Sequence, residues 1–395
     1  MPKIRRTLYA FFYLEDDRLA GLAPLLRGEV PAERRHATVT AMAILAGERQ
    51  RLDRDEFELL MSVPADRWVE QDGLPSEAVD QLTAKGLLLT DSHDAHLSSL
   101  RDREESLDAT EWNLYAALYH FMTQWAGVGS ADGEADPELI RESSREAARA
   151  VLAEYGPPPP PFPEIESSGA VPLPAIERCG ELYETLLARR TTRAFDLHTP
   201  MALADLDTVL RYVFGTHGYA RNVADAVCIK RTSPSGGGLH PIDVRPVVTN
   251  VEGLEPGIYR YDAASHSLVL VSALGQEEGR RMITSFASGQ GYFGPAHVSF
   301  ILTARFYRNH WKYRRHQKAY TGILMDAAHL SQTLYLVSAQ LGLGAFVTVA
   351  INARDIERRL NLDGVREGVI ALTGCGPPAS DGSPLELQFS PDPIA

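Results

Sequence analysis

The sequence predicts an α+β protein in two parts: helices packed around a mainly antiparallel sheet in the C-terminal portion, and a smaller winged-helix-like α/β module before it. Three observations point there. A proline-rich break interrupts the chain near its middle, helical and strand periods alternate after that break, and a helix, helix, strand succession precedes it. At 395 residues the chain is longer than one ordinary core, and 44% hydrophobic with 23% charged residues is a soluble globular composition.

The break reads Gly156-Pro157-Pro158-Pro159-Pro160-Pro161-Phe162-Pro163 and continues with Ser, Gly and Pro to Pro174. Consecutive prolines lack NH donors and favour an extended chain, so the segment belongs to neither helix nor sheet and serves as a semi-rigid spacer. It separates an N-terminal module, residues 1–155, by a linker, residues 156–174, from a C-terminal domain, residues 175–395.

In the first part, Thr7 to Leu14 reads as a strand, Asp55 to Val63 and Pro75 to Lys85 have helical apolar spacing, and Gly86 to Thr90 reads as a short strand. Glu111 to Trp125 is a further helix, apolar on most of its faces and therefore expected to be buried. In the second part, Ile176 to Arg189 and Ala204 to Val213 read as helices. Val244 to Thr249, Gly257 to Tyr261, Leu268 to Ser272 and Val298 to Ala304 read as strands. A long helix from Tyr320 to Leu341 aligns Ile323, Ala327, Leu330, Leu334 and Val337 on one face, and Gly342 stops it. Asn352 is placed to cap a helix ending near Asn361, and Val369 to Thr373 forms a last strand.

Charge and composition exclude several classes. A net charge of -13 opposes global attraction to nucleic acid or anionic lipid. Pro75 to Lys85 carries two acids and one lysine, which is no basic recognition helix. Cys179, Cys228 and Cys375 are far apart with no CxxC, so neither a zinc site nor a disulfide framework is indicated. The basic start at Lys3-Ile4-Arg5-Arg6 leads into an apolar run cut short by Glu15-Asp16-Asp17, unlike a signal peptide, and no stretch approaches the roughly 20 apolar residues of a membrane span. A cytoplasmic protein is expected.

Three clusters carry candidate chemistry. Arg189-Arg190-Thr191-Thr192-Arg193 offers guanidinium forks and hydroxyls suited to a phosphate, although a solvated basic helix end needs no ligand. In Arg231-Thr232-Ser233-Pro234-Ser235-Gly236-Gly237-Gly238-Leu239-His240-Pro241, three glycines let backbone NH groups approach a flat or anionic ligand, and a flexible turn is the plainer alternative. Neither a P-loop nor a dinucleotide fingerprint is present. Arg305 to Lys318 interleaves six basic side chains with aromatics, suited to an acidic peptide or to a solvated face. Lys312 beside Tyr313 offers two proton-transfer groups.

The order of these clusters resembles the nitroreductase-like flavoprotein superfamily, and within it the SagB/McbC-type peptide-maturation dehydrogenases. The motifs are Arg-Arg-Thr-Thr-Arg-Ala-Phe, Ser-Pro-Ser-Gly-Gly-Gly-Leu-His-Pro, Lys-Tyr-Arg with Asp326-Ala327-Ala328-His329, then Gly342-Leu343-Gly344 and Gly374-Cys375-Gly376-Pro377. The resemblance spans about residues 180 to 380. It implies a nitroreductase-like FMN-binding sandwich in which Arg189, Arg190 and Thr191, with Arg193 nearby, hold the FMN phosphate and ribityl chain. Pro234, Ser235, Gly236, Gly237, Gly238 and Leu239 lie along the flavin, and Thr348, Val349 and Ala350 offer backbone groups near its reactive nitrogen. It implies Lys312 and Tyr313 as general base and acid, and a homodimer with FMN at its interface. Many superfamily members place a basic residue after the last strand, where this chain has Gly374-Cys375-Gly376. His240 and His329 fit motif positions as structural hydrogen-bonders, and no metal site is implied.

The function so implied is an FMN-dependent dehydrogenase of a ribosomally made peptide, oxidising thiazoline or oxazoline to thiazole or oxazole, with cyclodehydratase partner proteins. A nicotinamide-dependent reductase of nitro, quinone or dehydroamino-acid substrates is an alternative, and a non-catalytic subunit of a peptide-modifying complex is another.

Overall fold

The computed structural model describes residues 2–15, 38–129, 137–162, 169–174, 176–222, 225–383 and 385–387. The chain forms two compact units, and they interleave along the sequence. The first takes residues 1–124, 305–323 and 361–368, and the second takes 125–304, 324–360 and 369–395. Within the stretch assigned to the second unit, the described residues 156–162 and 169–174 are neither helix nor strand.

In the first unit, β1 (Lys3–Arg6), β2 (Ala10–Glu15), β3 (Thr38–Ala43) and β4 (Glu48–Leu52) lead to α1 (Arg54–Ser62). There follow β5 (Val69–Glu70), α2 (Ser76–Ala84), β6 (Leu88–Thr90), α3 (Ala95–Ala109) and α4 (Leu114–Met122). The helix, helix, strand succession is therefore present, and it closes on the N-terminal strand in a sheet of order β5-β1-β6. The strands β2-β3-β4 make a separate antiparallel meander. Between them Ile4, Leu52, Leu60, Val79, Leu82 and Leu88 form a buried apolar cluster. Asp53 starts α1 with a reciprocal cap, its side chain accepting from Glu56 N while the Glu56 carboxylate accepts from Asp53 N.

The strand expected over Thr7–Leu14 begins only at Ala10, and a separate strand, β1, ends before it at Arg6. Thr7 Oγ1 and Leu8 N both donate to buried Glu104, at 2.7 and 2.8 Å, which takes these groups out of any ladder and breaks the run. Glu104 also pairs with Arg5. The expected helix Glu111–Trp125 begins later, because Glu111 adopts φ 58 and Asn113 caps at Tyr115 N and Ala116 N. Its burial is one-sided: Tyr115 and Tyr119 are exposed, while His120 and Phe121 are buried.

The second unit contains α5 (Pro137–Tyr155), α6 (Glu181–Ala188) and α7 (Leu203–Val209), the last running into a π turn at Leu210–Phe214. The hairpin β7 (Gly218–Arg221) and β8 (Val227–Lys230) precedes β9 (Ile242–Val248), β10 (Gly257–Asp262), β11 (Ser267–Ala273), α8 (Gln276–Phe286) and β12 (Val298–Arg305). Then come α9 (Phe306–Tyr313), α10 (Ala319–Gln340), β13 (Gly344–Thr348), α11 (Ala353–Leu360) and β14 (Glu367–Gly376). Six strands form one sheet in the order β11-β10-β9-β12-β14-β13, with antiparallel pairing of β9 to β10 and β12, β10 to β11, and β13 to β14. The central strand β12 is buried from Val298 to Ala304, as a strand covered on both faces must be. The fold is thus the α+β sandwich the sequence predicts.

Helix α10 ends as its glycine foretells. Gly342 sits at φ 71, and Leu343 N donates back to Ser338 O at 2.8 Å, a bond that satisfies a carbonyl of the last turn. Asn352 stands before α11, and its fully buried side chain accepts from Val128 N and donates to Val128 O and Ser285 O. Among the described residues no helix is long and apolar enough to cross a membrane, and no group of His, Cys, Asp or Glu is arranged to hold a metal.

Candidate functional site

The arginine cluster begins where α6 ends. Arg189 is the residue that closes the helix, its N–H donating to Thr185 O, and the chain then runs beside β13 through a parallel bridge between Thr191 and Ala345. Thr192 N donates to Ala345 O at 2.8 Å, so the strand fixes the cluster's backbone. Tyr335 of α10 meets it from the other side. Its hydroxyl lies 3.0 Å from Thr191 Oγ1, and the Arg189 guanidinium lies 5.5 Å from its ring centre. Gly344 is required here, because a Cβ on it would fall 2.5 Å from Thr192 Cγ2.

The same strand ends at Thr348 and leads directly into Val349 and Ala350. Gln290 Nε2 donates to Ala350 O at 3.0 Å and lies 3.3 Å from Thr348 Oγ1, while Ala350 N donates to Thr348 Oγ1 at 3.2 Å. Tyr292 donates its hydroxyl to Gln290 Oε1 at 3.0 Å, and its ring lies 5.7 Å from the Arg193 guanidinium. Contacts therefore join Arg193, through Tyr292 and Gln290, to the 348–350 stretch. Val349 between them is 77% exposed. Arg190 is exposed as well.

The glycine loop has different partners. Asp326 of α10 accepts from Ser235 Oγ and from Gly236 N, Ser235 Oγ accepts from His240 N, and Ser233 Oγ lies 2.6 Å from Thr333 Oγ1. Gly237 and Gly238 have φ of 63 and 69, a region that favours glycine. Pro234 is exposed at the loop's entry and Leu239 is buried at its exit. His240 is buried, and its positive φ of 47 turns the chain into β9. The Nδ1 of His329 is buried with no hydrogen-bond partner among the described residues.

These residues fit a phosphorylated, flat cofactor on two observations. Among the described residues the guanidiniums of Arg189, Arg190 and Arg193 form no ion pair, Arg189 and Arg193 lying over tyrosine rings instead, so their donors remain available to an anion. A Cβ built on Gly236 or Gly238 meets nothing within 4 Å, so the loop presents its backbone to open space.

The glycines after the last strand have another purpose. A Cβ on Gly374 would fall 2.5 Å from the Phe346 ring, and one on Gly376 would fall 2.2 Å from His297 Nδ1. Close packing, rather than anion contact, explains the absence of a basic side chain there. Burial pushes the Cys375 thiol between them up to about 12, which leaves it unreactive.

Lys312 and Tyr313 lie in the first unit, on the last turn of α9. Lys312 is exposed, Tyr313 is half-buried, and the Lys312 Nζ is 5.7 Å from the Tyr313 ring centre. The basic stretch that reads as one patch is an amphipathic helix and the loop after it. Phe306, Asn309 and His310 face inward, and Arg314 and Arg315 are partly neutralised by Glu111 and Asp108. Sequence reasoning missed Tyr335, Tyr292, Gln290 and Thr333, and it gave Asp326 no role. Of these only Asp326 carries a sequence signal, as an acid on a helix otherwise without acids, lysines or arginines.

With fold and geometry in hand, comparison with known proteins places the chain: residues 186–376 match the nitroreductase family, and the chain belongs to that family of oxidoreductases. The protein of Methanocaldococcus jannaschii that carries the nitroreductase name MJ1384 is 30% identical over 183 residues, which span 46% of this chain and 83% of the relative. The trifolitoxin-processing protein TfxB of Rhizobium leguminosarum bv. trifolii is 28% identical over 41% of this chain and 40% of its own length. The microcin B17-processing protein McbC of Escherichia coli is 27% identical over 35% of this chain and 51% of its own length. The chain thus matches about half or less of each of the two processing proteins.

Proposed function

We propose that the protein is an FMN-dependent dehydrogenase that acts in maturation of a ribosomally made peptide, oxidising thiazoline or oxazoline rings to thiazole or oxazole. The observation that carries this reading is the open glycine backbone together with an arginine cluster whose guanidiniums form no ion pair among the described residues. Arg189, Arg190 and Thr191, with Arg193, would hold the phosphate and ribityl chain. Pro234 to Leu239 would lie along the ring system, and the backbone of Thr348 to Ala350 would face its reactive edge. FMN, when bound, supplies the two-electron redox chemistry, and the chain supplies position and proton transfer.

An azoline becomes an azole by losing two hydrogens, one as a proton and one with the bonding electron pair. Lys312 or Tyr313 would accept the proton from the ring's α-carbon, and the other residue would hold the ring nitrogen or hydrogen-bond the base. The peptide substrate is supported by similarity to TfxB and McbC, named for processing of trifolitoxin and of microcin B17, and partner proteins of the cyclodehydratase kind belong to the same proposal. A homodimer is supported by α6, which buries none of its residues and leaves Leu182 and Leu187 exposed at 63% and 87%. The separate contacts of the glycine loop and the arginine cluster suit a site completed by two copies.

A second reading, nicotinamide-dependent reduction of nitro or quinone substrates, is favoured by the name of MJ1384. One purified sample separates the two. Its absorbance spectrum and the mass of the released chromophore test for FMN. Azoline peptide with oxygen, and nitroarene with NADH or NADPH, then test the direction of electron flow. A protein that carries no flavin and gains none on incubation with FMN rejects both readings and leaves the non-catalytic subunit.

A further inference from the structure

Helix α10 is apolar over much of its length, and a carboxylate buried on it needs a reason. Asp326 is 5% exposed. Its Oδ1 accepts from Gly236 N at 3.0 Å and its Oδ2 accepts from Ser235 Oγ at 2.5 Å. Ser235 Oγ accepts in turn from His240 N at 2.8 Å, so one carboxylate reaches both ends of the glycine run.

Within the loop, Gly238 N donates to Ser235 O at 3.0 Å and Leu239 N to Gly236 O at 3.4 Å, a single tight turn without side chains of its own. Side chains are missing at Gly236, Gly237 and Gly238, and a Cβ at the first or third would touch nothing. Glycine loses more backbone freedom on ordering than any other residue, so a run of three gains the most from a tie to a rigid element. Two turns further along α10, Thr333 makes a second and independent tie, at Ser233. The rigid helix is therefore the template, and Asp326 is the point at which it grips the glycines.

We propose that Asp326 is a positioning residue that presets the glycine loop, acting through Ser235 and Gly236, so that a bound cofactor meets amides already ordered. The inference rests on the loop being the flavin-binding loop. A preset loop spares the ligand the cost of ordering it, and a loosened loop charges that cost to binding.

The test uses the full-length protein in two arms. Hydrogen exchange read by mass spectrometry compares wild type with Asp326→Ala, Asp326→Asn and Thr333→Val in the absence of flavin. Quenching of FMN fluorescence gives the dissociation constants of the same proteins. In Asp326→Ala the amides of residues 235–240 exchange about tenfold faster or more, as loss of a charge-assisted buried acceptor requires, and FMN binds about tenfold more weakly. Asp326→Asn keeps an acceptor for Gly236 N and falls between, while Thr333→Val quickens exchange around residue 233 and leaves 235–240 protected. Unchanged exchange over 235–240 in both Asp326 variants overturns the proposal, and so does faster exchange with an unchanged FMN affinity. If Asp326→Ala fails to fold, Asp326→Asn and Ser235→Ala decide by the same two readings. A wild-type protein that binds no FMN overturns the flavin assignment of the loop, and the exchange arm then judges the grip of Asp326 by itself.

Discussion

The indole Nε1 of Trp112 donates to the carbonyl oxygen of Val365 at 2.9 Å, joining points of the chain 253 positions apart. Around that bond the rings of Phe306, His310, His120, Phe121 and Tyr320 pack within 5.7 Å of Trp112, centre to centre. Trp112 is 1% exposed, so its removal both empties a cavity and orphans a carbonyl. Trp112→Ala is expected to destabilise the protein by about 3–5 kcal/mol, and Trp112→Phe by about 1–3 kcal/mol. Urea unfolding followed by circular dichroism measures both, and a loss below about 1 kcal/mol for the alanine variant contradicts the assigned packing.

Acid destabilises the same cluster. Burial pushes the His120 imidazole down to about 3 and that of His310 down to about 4, with carbonyl bonds from Gly364 and Thr110 opposing in part. An unfolded histidine titrates near 6.5, so below that pH the unfolded chain binds protons that the folded chain refuses. This contribution to stability is complete above about pH 6.5 and is lost as the pH falls towards the folded values, at up to about 1.4 kcal/mol per pH unit for each histidine. Unfolding midpoints measured from about pH 7.5 to about pH 4.5 should fall with this slope, and His120→Gln should flatten it. A wild-type midpoint independent of pH over that range would exclude the buried neutral histidines.

Two glycines give opposite outcomes on becoming alanine. Gly376→Ala puts a methyl 2.2 Å from His297 Nδ1, a side chain with no exposed surface, and should cost about 1–3 kcal/mol by overpacking. Gly236→Ala meets nothing within 4 Å and should change stability by less than about 0.5 kcal/mol. Its methyl nonetheless enters the space proposed for the flavin, and FMN should bind about tenfold more weakly, equivalent to about 1.4 kcal/mol. Thermal melts and a flavin titration on the two variants decide the matter; equal FMN affinity for wild type and Gly236→Ala removes the loop from the site.

The proposed base and acid are testable apart from cofactor binding. Lys312→Ala and Tyr313→Phe should each slow oxidation of an azoline peptide by about 10²–10⁴-fold while the flavin absorbance of the loaded protein stays unchanged. Rates within twofold of wild type in both variants would withdraw the assignment.

Much of the second unit was legible in the sequence, because β9, β10, β11 and β12 are continuous apolar or alternating runs between turn residues and α10 keeps its period for six turns. The family and its motifs were legible for the same reason: Arg189 to Arg193 and Ser233 to Pro241 are contiguous in the chain. What escaped was whatever distance in sequence conceals. Tyr335, Tyr292 and Gln290 lie far from the residues they hold, and no local spacing announces them. Helix α9 hid because its cations stood out more than its inward residues, Phe306, Asn309 and His310, whose spacing of three and four is helical. The break at Thr7 was invisible because its cause, Glu104, lies 97 positions away.

The interleaving of the two units constrains how the protein is made. Residue 124 leaves the ribosome early, but the first unit is incomplete until residues 305–323 and 361–368 have followed. At about 5–20 residues per second that delay is roughly 12 to 50 s. For most of it, until residues 306–320 have followed, Trp112, His120 and Phe121 lack the rings of Phe306, His310 and Tyr320 that cover them in the finished fold. The nascent N-terminal segment thus carries those aromatic side chains without their cover for that interval, and cutting the gene at the proline-rich segment would yield two fragments, the first of them permanently without its closing helix.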